Sequence, residues 1–167
     1  MSEVKTKLKE IEPPDSHHLR AAEGWLELGD HTQACEELKK ISLQGRFHPM
    51  VLLTHWEIHA MAKQWTFAHI IAHALVVLFP DEPVGWINSS FALHQMKRTN
   101  DAWRALLPAA QLFPKHGVVA YNLACYACQM GKNEEAWKWL DKAISLGDSL
   151  KVKSAALEDP DLKPLWT

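Results

Sequence analysis

Four alanines, Ala34, Ala68, Ala102 and Ala136, follow one another at intervals of 34 residues. A fixed period of this length marks a chain assembled from stacked copies of one supersecondary unit, and it constrains the fold more tightly than composition does. Four residues after each alanine stands Leu38, Ala72, Leu106 or Leu140, and three further on stands Ile41, Leu75, Ala109 or Ala143. The spacing i, i+4, i+7 puts these residues on one helical face, which must be buried. The small residue that opens each stripe lets a neighbouring helix come close.

Helix breakers keep the same beat. Pro49, Pro83 and Gly117 open the second, third and fourth units, and Pro80 and Pro114 close the second and third. Gly29 and Gly131 fall between the two helices of the first and fourth units, where Lys63 and Lys97 stand in the others. Proline suits the first turn of a helix and glycine the residue just past its end. The pattern predicts helices over 15–28, 32–44, 49–62, 65–78, 83–96, 99–112, 117–130 and 133–146, joined by loops short enough to make neighbours antiparallel. Pro108 falls inside the sixth and is expected to bend it near Arg104.

These features resemble the tetratricopeptide repeat family, whose unit of the same length carries Trp, Leu-Gly, Tyr, Ala, Phe-like and Pro positions. The stretch YNLACYACQMGKNEEAWKWLDKAISLG in the fourth unit matches best, and Trp86 and Pro114 supply family positions in the third. His55 and Ser89 stand where leucine is usual, and Trp56 and Ser90 replace the small residue that follows. The resemblance implies an all-α solenoid of antiparallel helix–turn–helix repeats in a right-handed superhelix. The units would span 15–48, 49–82, 83–116 and 117–148, after an N-terminal extension at 1–14 and before a capping helix and tail at 149–167. A last repeat would otherwise expose its apolar face, so Leu162, Leu165 and Trp166 are expected to pack on the fourth unit.

Eighteen Lys and Arg against twenty Asp and Glu leave a charge of −2, without the basic stripe that nucleic acid or a membrane surface would need. The one basic cluster, Lys5, Lys7 and Lys9, is neutralised by Glu3, Glu10 and Glu12. No secretory leader or membrane-length apolar run is visible, and the three cysteines read as reduced thiols in a cytoplasmic compartment.

The resemblance also implies that the first helices of the units line a concave groove for a partner peptide or helix. One column of that groove is Leu19, Leu53, Ile87 and Tyr121; the next is Glu23, Glu57, Phe91 and Cys125; a third runs Leu26, Ala60, His94 and Cys128. Beside the first run Arg20, Thr54, Asn88 and Asn122, whose amides suit a peptide backbone. The first half offers carboxylates with Arg20 around leucine, the second apolar and aromatic anchors with amides. Leu19 and Glu23 stand where a clamp for chaperone C-terminal carboxylates would need Lys and Asn, and two acidic side chains repel a carboxylate. Alternatively, Phe91 and Tyr121 rest on each other and on the cap, and the groove is filled from within.

The expected function is therefore a non-catalytic, cofactor-free scaffold or adaptor that binds a protein or peptide, as a monomer or, through a convex tryptophan patch, a self-associating chain. One alternative is a secretion-type chaperone for an unfolded client, of the kind that dimerises through an extra N-terminal helix. Another is a metal or redox protein using Cys125, Cys128 and His94, or the pairs His55–His59 and His69–His73, whose i, i+4 spacing can share a metal. The register disperses the two histidine pairs over different faces. The CxxC lies mid-helix, far from the helix N-terminus that would activate a thiol. No glycine-rich phosphate loop is present. Trp103 and Trp137 share a column on the second helices, with Trp139 nearby, and read as packing between repeats.

Overall fold

The computed structural model describes residues 10–166, so Lys5, Lys7 and Lys9 lie outside the described residues. Four helix pairs follow one another: α1 (Asp15–Glu27) with α2 (His31–Lys39), α3 (Pro49–Met61) with α4 (Trp65–Leu78), α5 (Pro83–Gln95) with α6 (Thr99–Leu106) and its continuation α7 (Ala109–Leu112), and α8 (Gly117–Gln129) with α9 (Asn133–Leu146). A further helix, α10 (Ser149–Glu158), and a 3-10 turn at Lys163–Leu165 close the chain. Each first helix packs on its own partner, and each second helix packs on the first helix of the next unit, which makes an all-α solenoid of antiparallel helix pairs.

The alanine-led stripes are the buried faces of the second helices. All twelve stripe residues, from Ala34 to Ala143, are at most 2% exposed. The first unit and α3 enclose one core around Leu19, Ala22, Leu38, Ile41, Val51 and Ile58. The third and fourth units enclose a larger one around Leu93, Leu106, Leu123, Tyr126 and Leu140, and it takes in Ala156 and Leu162 from beyond the repeats. The two serines that depart from the usual repeat residues are hydrogen-bonded. Ser89 shares a hydrogen bond with His69 Nδ1 across 3.1 Å, and the Ser90 hydroxyl donates to Ile87 O at 2.9 Å and meets Tyr126 Oη at 3.2 Å.

The turn between the helices of each unit is the same in all four. Gly29, Lys63, Lys97 and Gly131 have φ of 79°, 53°, 63° and 74°, the left-handed conformation. Each donates its N–H to the carbonyl three residues back, and the following residue donates to the carbonyl five back, as in Lys63→Ala60 (3.0 Å) and Gln64→His59 (2.8 Å). This is a Schellman motif repeated at the period of the sequence. Glycine takes the conformation without strain; the two lysines hold it against a steric cost of about 1–2 kcal/mol.

Two elements depart from expectation. The second helix ends at Lys39, not at residue 44. Arg46 reaches back to Lys39 O at 2.7 Å and Ile41 O at 3.0 Å, and Asp15 takes the Ser42 backbone N–H at 2.8 Å. These bonds satisfy the end of the helix and turn the chain through a 3-10 turn at Gly45–Phe47. At Pro108 the sixth helix is interrupted. Leu107 still donates to Trp103 O at 3.0 Å, but Pro108 has no N–H for Arg104, and Ala110 and Gln111 then bond three residues back. The capping helix forms over 149–158. Asp148 caps it, accepting from Leu150 N and Lys151 N at 3.1 and 3.3 Å.

Candidate partner-binding groove

The first helices α1, α3, α5 and α8 lie side by side, and their groove columns have two different fates. In the first half a cleft of about 520 Å³ opens between α1 and α3. Glu23, Leu26, Glu27, Trp56, Glu57, Ala60 and Met61 line it. None of its three carboxylates has an ion-pair partner among the described residues. Burial pushes the Glu57 acid above its ordinary range, and the Glu23 carboxylate adds to that. A charge-repelled acidic wall over an apolar floor is what remains when no cation is supplied from within.

In the second half the groove is occupied. After α10 the chain turns at 159–162 and returns across the face of α8. Tyr121 Oη donates to Asp159 Oδ2 at 2.9 Å, and Cys125 Sγ approaches the same oxygen at 3.7 Å. His94 Nε2 meets Asp161 Oδ2 at 2.9 Å, while its Nδ1 meets Thr99 Oγ1 at 3.0 Å. Gln129 Nε2 donates to Asp161 O at 2.8 Å. Leu162 is fully buried, Leu165 half-buried beside it, and the Trp166 ring stands edge-on to Trp137 with centroids 5.1 Å apart. Burial, followed by the two aspartates, pushes the Cys125 thiol far above its ordinary value; burial, then Asp159, does the same to the Tyr121 phenol.

The remaining residues of the columns are dispersed. Leu19 is 5% exposed and belongs to the first core, not to the groove surface. Arg20 is exposed on α1. Leu53 lines a separate cleft of about 190 Å³ with Met50, Phe79 and Val84, between the starts of α3 and α5 and the end of α4. Ile87 packs on the second core. Asn88 and Asn122 are half-buried. Phe91 stands edge-on to Trp56 and Trp65, with ring centroids 6.4 and 5.8 Å away, while Tyr121 is held by the returning chain. Trp56 and Met61 line the open cleft and the two aspartates fill the closed half, although none of the four belongs to the groove columns. The signal for the aspartates was present: an Asp-Pro-Asp sequence beside groove helices rich in neutral donors.

The metal and redox candidates are engaged in other ways. Burial raises the Cys128 thiol as it does Cys125, so both are kept protonated and poor as ligands or nucleophiles. His55 and His59 stack at 6.3 Å, and His59 lies on Phe67 at 5.4 Å. His69 and His73 sit on another face, 6.2 Å apart, with burial pushing His69 toward its neutral form. Among the described residues no three His, Cys, Asp or Glu side chains are arranged to hold a metal ion. Trp103 is buried edge-on to Trp139, so the tryptophan pair is formed by these two, and Trp137 meets Trp166 instead. None of the described helices is long and apolar enough to cross a membrane.

A solenoid of four helix pairs with this repeating turn is the tetratricopeptide-repeat fold, and comparison with solved structures agrees. The chain superposes on TTC0263, a thermophilic TPR protein of Thermus thermophilus, with a TM-score of 0.72 at 17% identity, covering 90% of this chain and 86% of that one. It superposes on MamA, residues 41 to the end, from Desulfovibrio magneticus RS-1, with a TM-score of 0.70 at 18% identity, covering 81% and 76%. A MamA from strain MSR-1 gives 0.65 at 20% identity, covering 77% and 74%. No family model matches the sequence, and no curated protein matches it.

Proposed function

We propose that the chain is a non-catalytic interaction module, a scaffold or adaptor, whose open half-groove between α1 and α3 receives a basic amphipathic helix of a partner protein. The carrying observation is the cleft of about 520 Å³ in which Glu23, Glu27 and Glu57 surround Leu26, Ala60, Trp56 and Met61 with no Lys or Arg in its lining. A partner helix with Lys or Arg flanking a leucine or methionine supplies the missing charge and covers the apolar floor. Phe91 backs the cleft through Trp56, and Asn88 and Asn122 offer amides farther along the groove. The chemistry of the site favours recognition over catalysis. Its carboxylates are close enough to repel, but no nucleophile or general base with an orienting partner lies among the residues that line it.

The test is fluorescence anisotropy with a labelled leucine–lysine amphipathic peptide. Saturable binding is expected that weakens steeply with salt and loses at least tenfold affinity in Glu23→Gln, Glu57→Gln. Equal affinity for that double variant, or equal binding of an acidic peptide of the same apolar face, would overturn the proposal.

A further inference from the structure

Covering the end of a solenoid needs apolar side chains only, and Leu162 with Leu165 supply them. The segment after α10 makes more than that cover. Four side chains on two groove helices, His94, Tyr121, Cys125 and Gln129, point their polar atoms at Asp159 and Asp161. Tyr121, Cys125 and Gln129 are spaced i, i+4, i+8 on α8 and so form one row along the groove. The segment itself is shaped for this row. Asp159 Oδ1 accepts the N–H of Asp161 at 2.9 Å, and Leu162 donates to Asp159 O at 3.1 Å, which makes a compact turn around Pro160. The turn presents two carboxylates and then a leucine, and Gln129 reads the backbone between them.

We infer that the distal half of the groove is a peptide-recognition site for an acidic turn of the type Asp-Pro-Asp-Leu, and that residues 159–165 are its resident intramolecular ligand. Charge argues for exchange over permanent attachment. Among the described residues no Lys or Arg pairs with Asp159 or Asp161; two neutral donors and one histidine meet their carboxylates, and Asp161 keeps a third of its side-chain surface exposed. Such contacts are modest one by one, and the short connection to α10 sustains them by an effective concentration of roughly millimolar. A partner segment of the same chemistry therefore enters only by displacing the resident one, and its apparent affinity is lowered by the fraction of time the site is closed. This site is separate from the acidic cleft at α1 and α3 and does not depend on it.

The test uses the full chain and a fluorescein-labelled peptide with the sequence of Leu157–Trp166. The variant Asp159→Ala, Asp161→Ala loosens the resident segment and leaves the groove residues intact. It should bind the peptide at least tenfold more tightly than the unaltered chain, and adding Tyr121→Phe should remove most of the gain. Equal affinity of the double variant and the unaltered chain overturns the inference. Hydrogen exchange on the unaltered chain decides independently, should the double variant lose its fold. Amides of 159–166 are expected to exchange at least tenfold faster than those of 119–127; exchange at the same rate makes the segment a fixed part of the core and overturns the inference.

Discussion

Replacing Gly85 by alanine should destabilise the solenoid, while the same replacement at Gly24 should stabilise it. Both glycines lie in first helices, and alanine is favoured over glycine by up to about 1 kcal/mol inside a helix. At Gly24 an added Cβ meets nothing within 4 Å, so that gain is realised nearly in full. At Gly85 the Cβ would lie 2.9 Å from Leu75 Cβ, 2.9 Å from Val76 N and 3.0 Å from Leu75 C. Two of those atoms are backbone of α4, so no rotamer change relieves the overlap and the helices must part. Overpacking of this kind costs about 1–3 kcal/mol. Gly85 is the third residue of its helix, where the propensity gain is small. The net loss is about 1–2 kcal/mol, against a gain of about 0.5–1 kcal/mol at Gly24. In urea, with a slope of about 2 kcal/mol/M, the two midpoints should move in opposite directions and end about 1 M apart. Midpoints that rise together would refute the close approach of α4 and α5 as the reason for glycine at this position.

Three other perturbations follow from single features. Lys63→Gly and Lys97→Gly each relieve a left-handed residue at φ 53° or 63°; the relief of about 1–2 kcal/mol exceeds the entropic penalty of glycine, about 0.5–1 kcal/mol, so each variant should gain roughly 0.5 kcal/mol in urea unfolding. Asp30 accepts the Gln33 N–H at 2.9 Å as the cap of α2; Asp30→Ala should cost about 1 kcal/mol and speed amide exchange in the first turn of that helix. The Glu57 acid is held above its ordinary value of 4.5 in the folded chain, by burial and by Glu23. A raised carboxyl weakens the fold as pH climbs through its titration, so Glu57→Gln should raise the urea midpoint at pH 7 and lose that advantage below pH 4.5, and an advantage that persists in acid would count against the carboxylate as its source.

The repeat was legible because it rests on steric demands made at every unit. Each second helix must bury one face, so the spacing of Ala34, Ala68, Ala102 and Ala136 already announces one helix pair every 34 residues. The left-handed turn could be placed because glycine takes it in two units, and the lysines in the other two inherit the register. The early end of α2 was hidden, because it depends on Arg46 and on Asp15, far away in sequence from the carbonyls and amides they satisfy. The groove was only half legible. Column positions identify which residues share a face of a helix. They do not say whether the face meets solvent, as at Arg20, the core, as at Leu19, or another part of the chain, as at Tyr121.

Why the returning segment settles on α5 and α8 and not farther up the groove is a matter of charge. Asp159 and Asp161 bring two negative groups wherever they dock. Against α1 and α3 they would meet Glu23, Glu27 and Glu57, and the acid of Glu57 is already pushed up by burial and by its neighbour. Against α8 and the end of α5 they meet a phenol, a thiol and an imidazole, all able to donate, and the Gln129 amide takes the Asp161 backbone carbonyl. The same backbone groove thus carries two opposite chemical demands, an acid-seeking half and a base-seeking half. An acidic segment cannot stray into the open cleft, and a basic helix gains nothing from the closed one. Reversing the sign of one half, as in Glu23→Lys with Glu57→Lys, removes that separation: the variant should lose the leucine–lysine peptide and gain affinity for the Leu157–Trp166 peptide, both read by anisotropy. If the acidic peptide binds the charge-reversed cleft no better than the unaltered one, shape and not charge keeps the two halves apart.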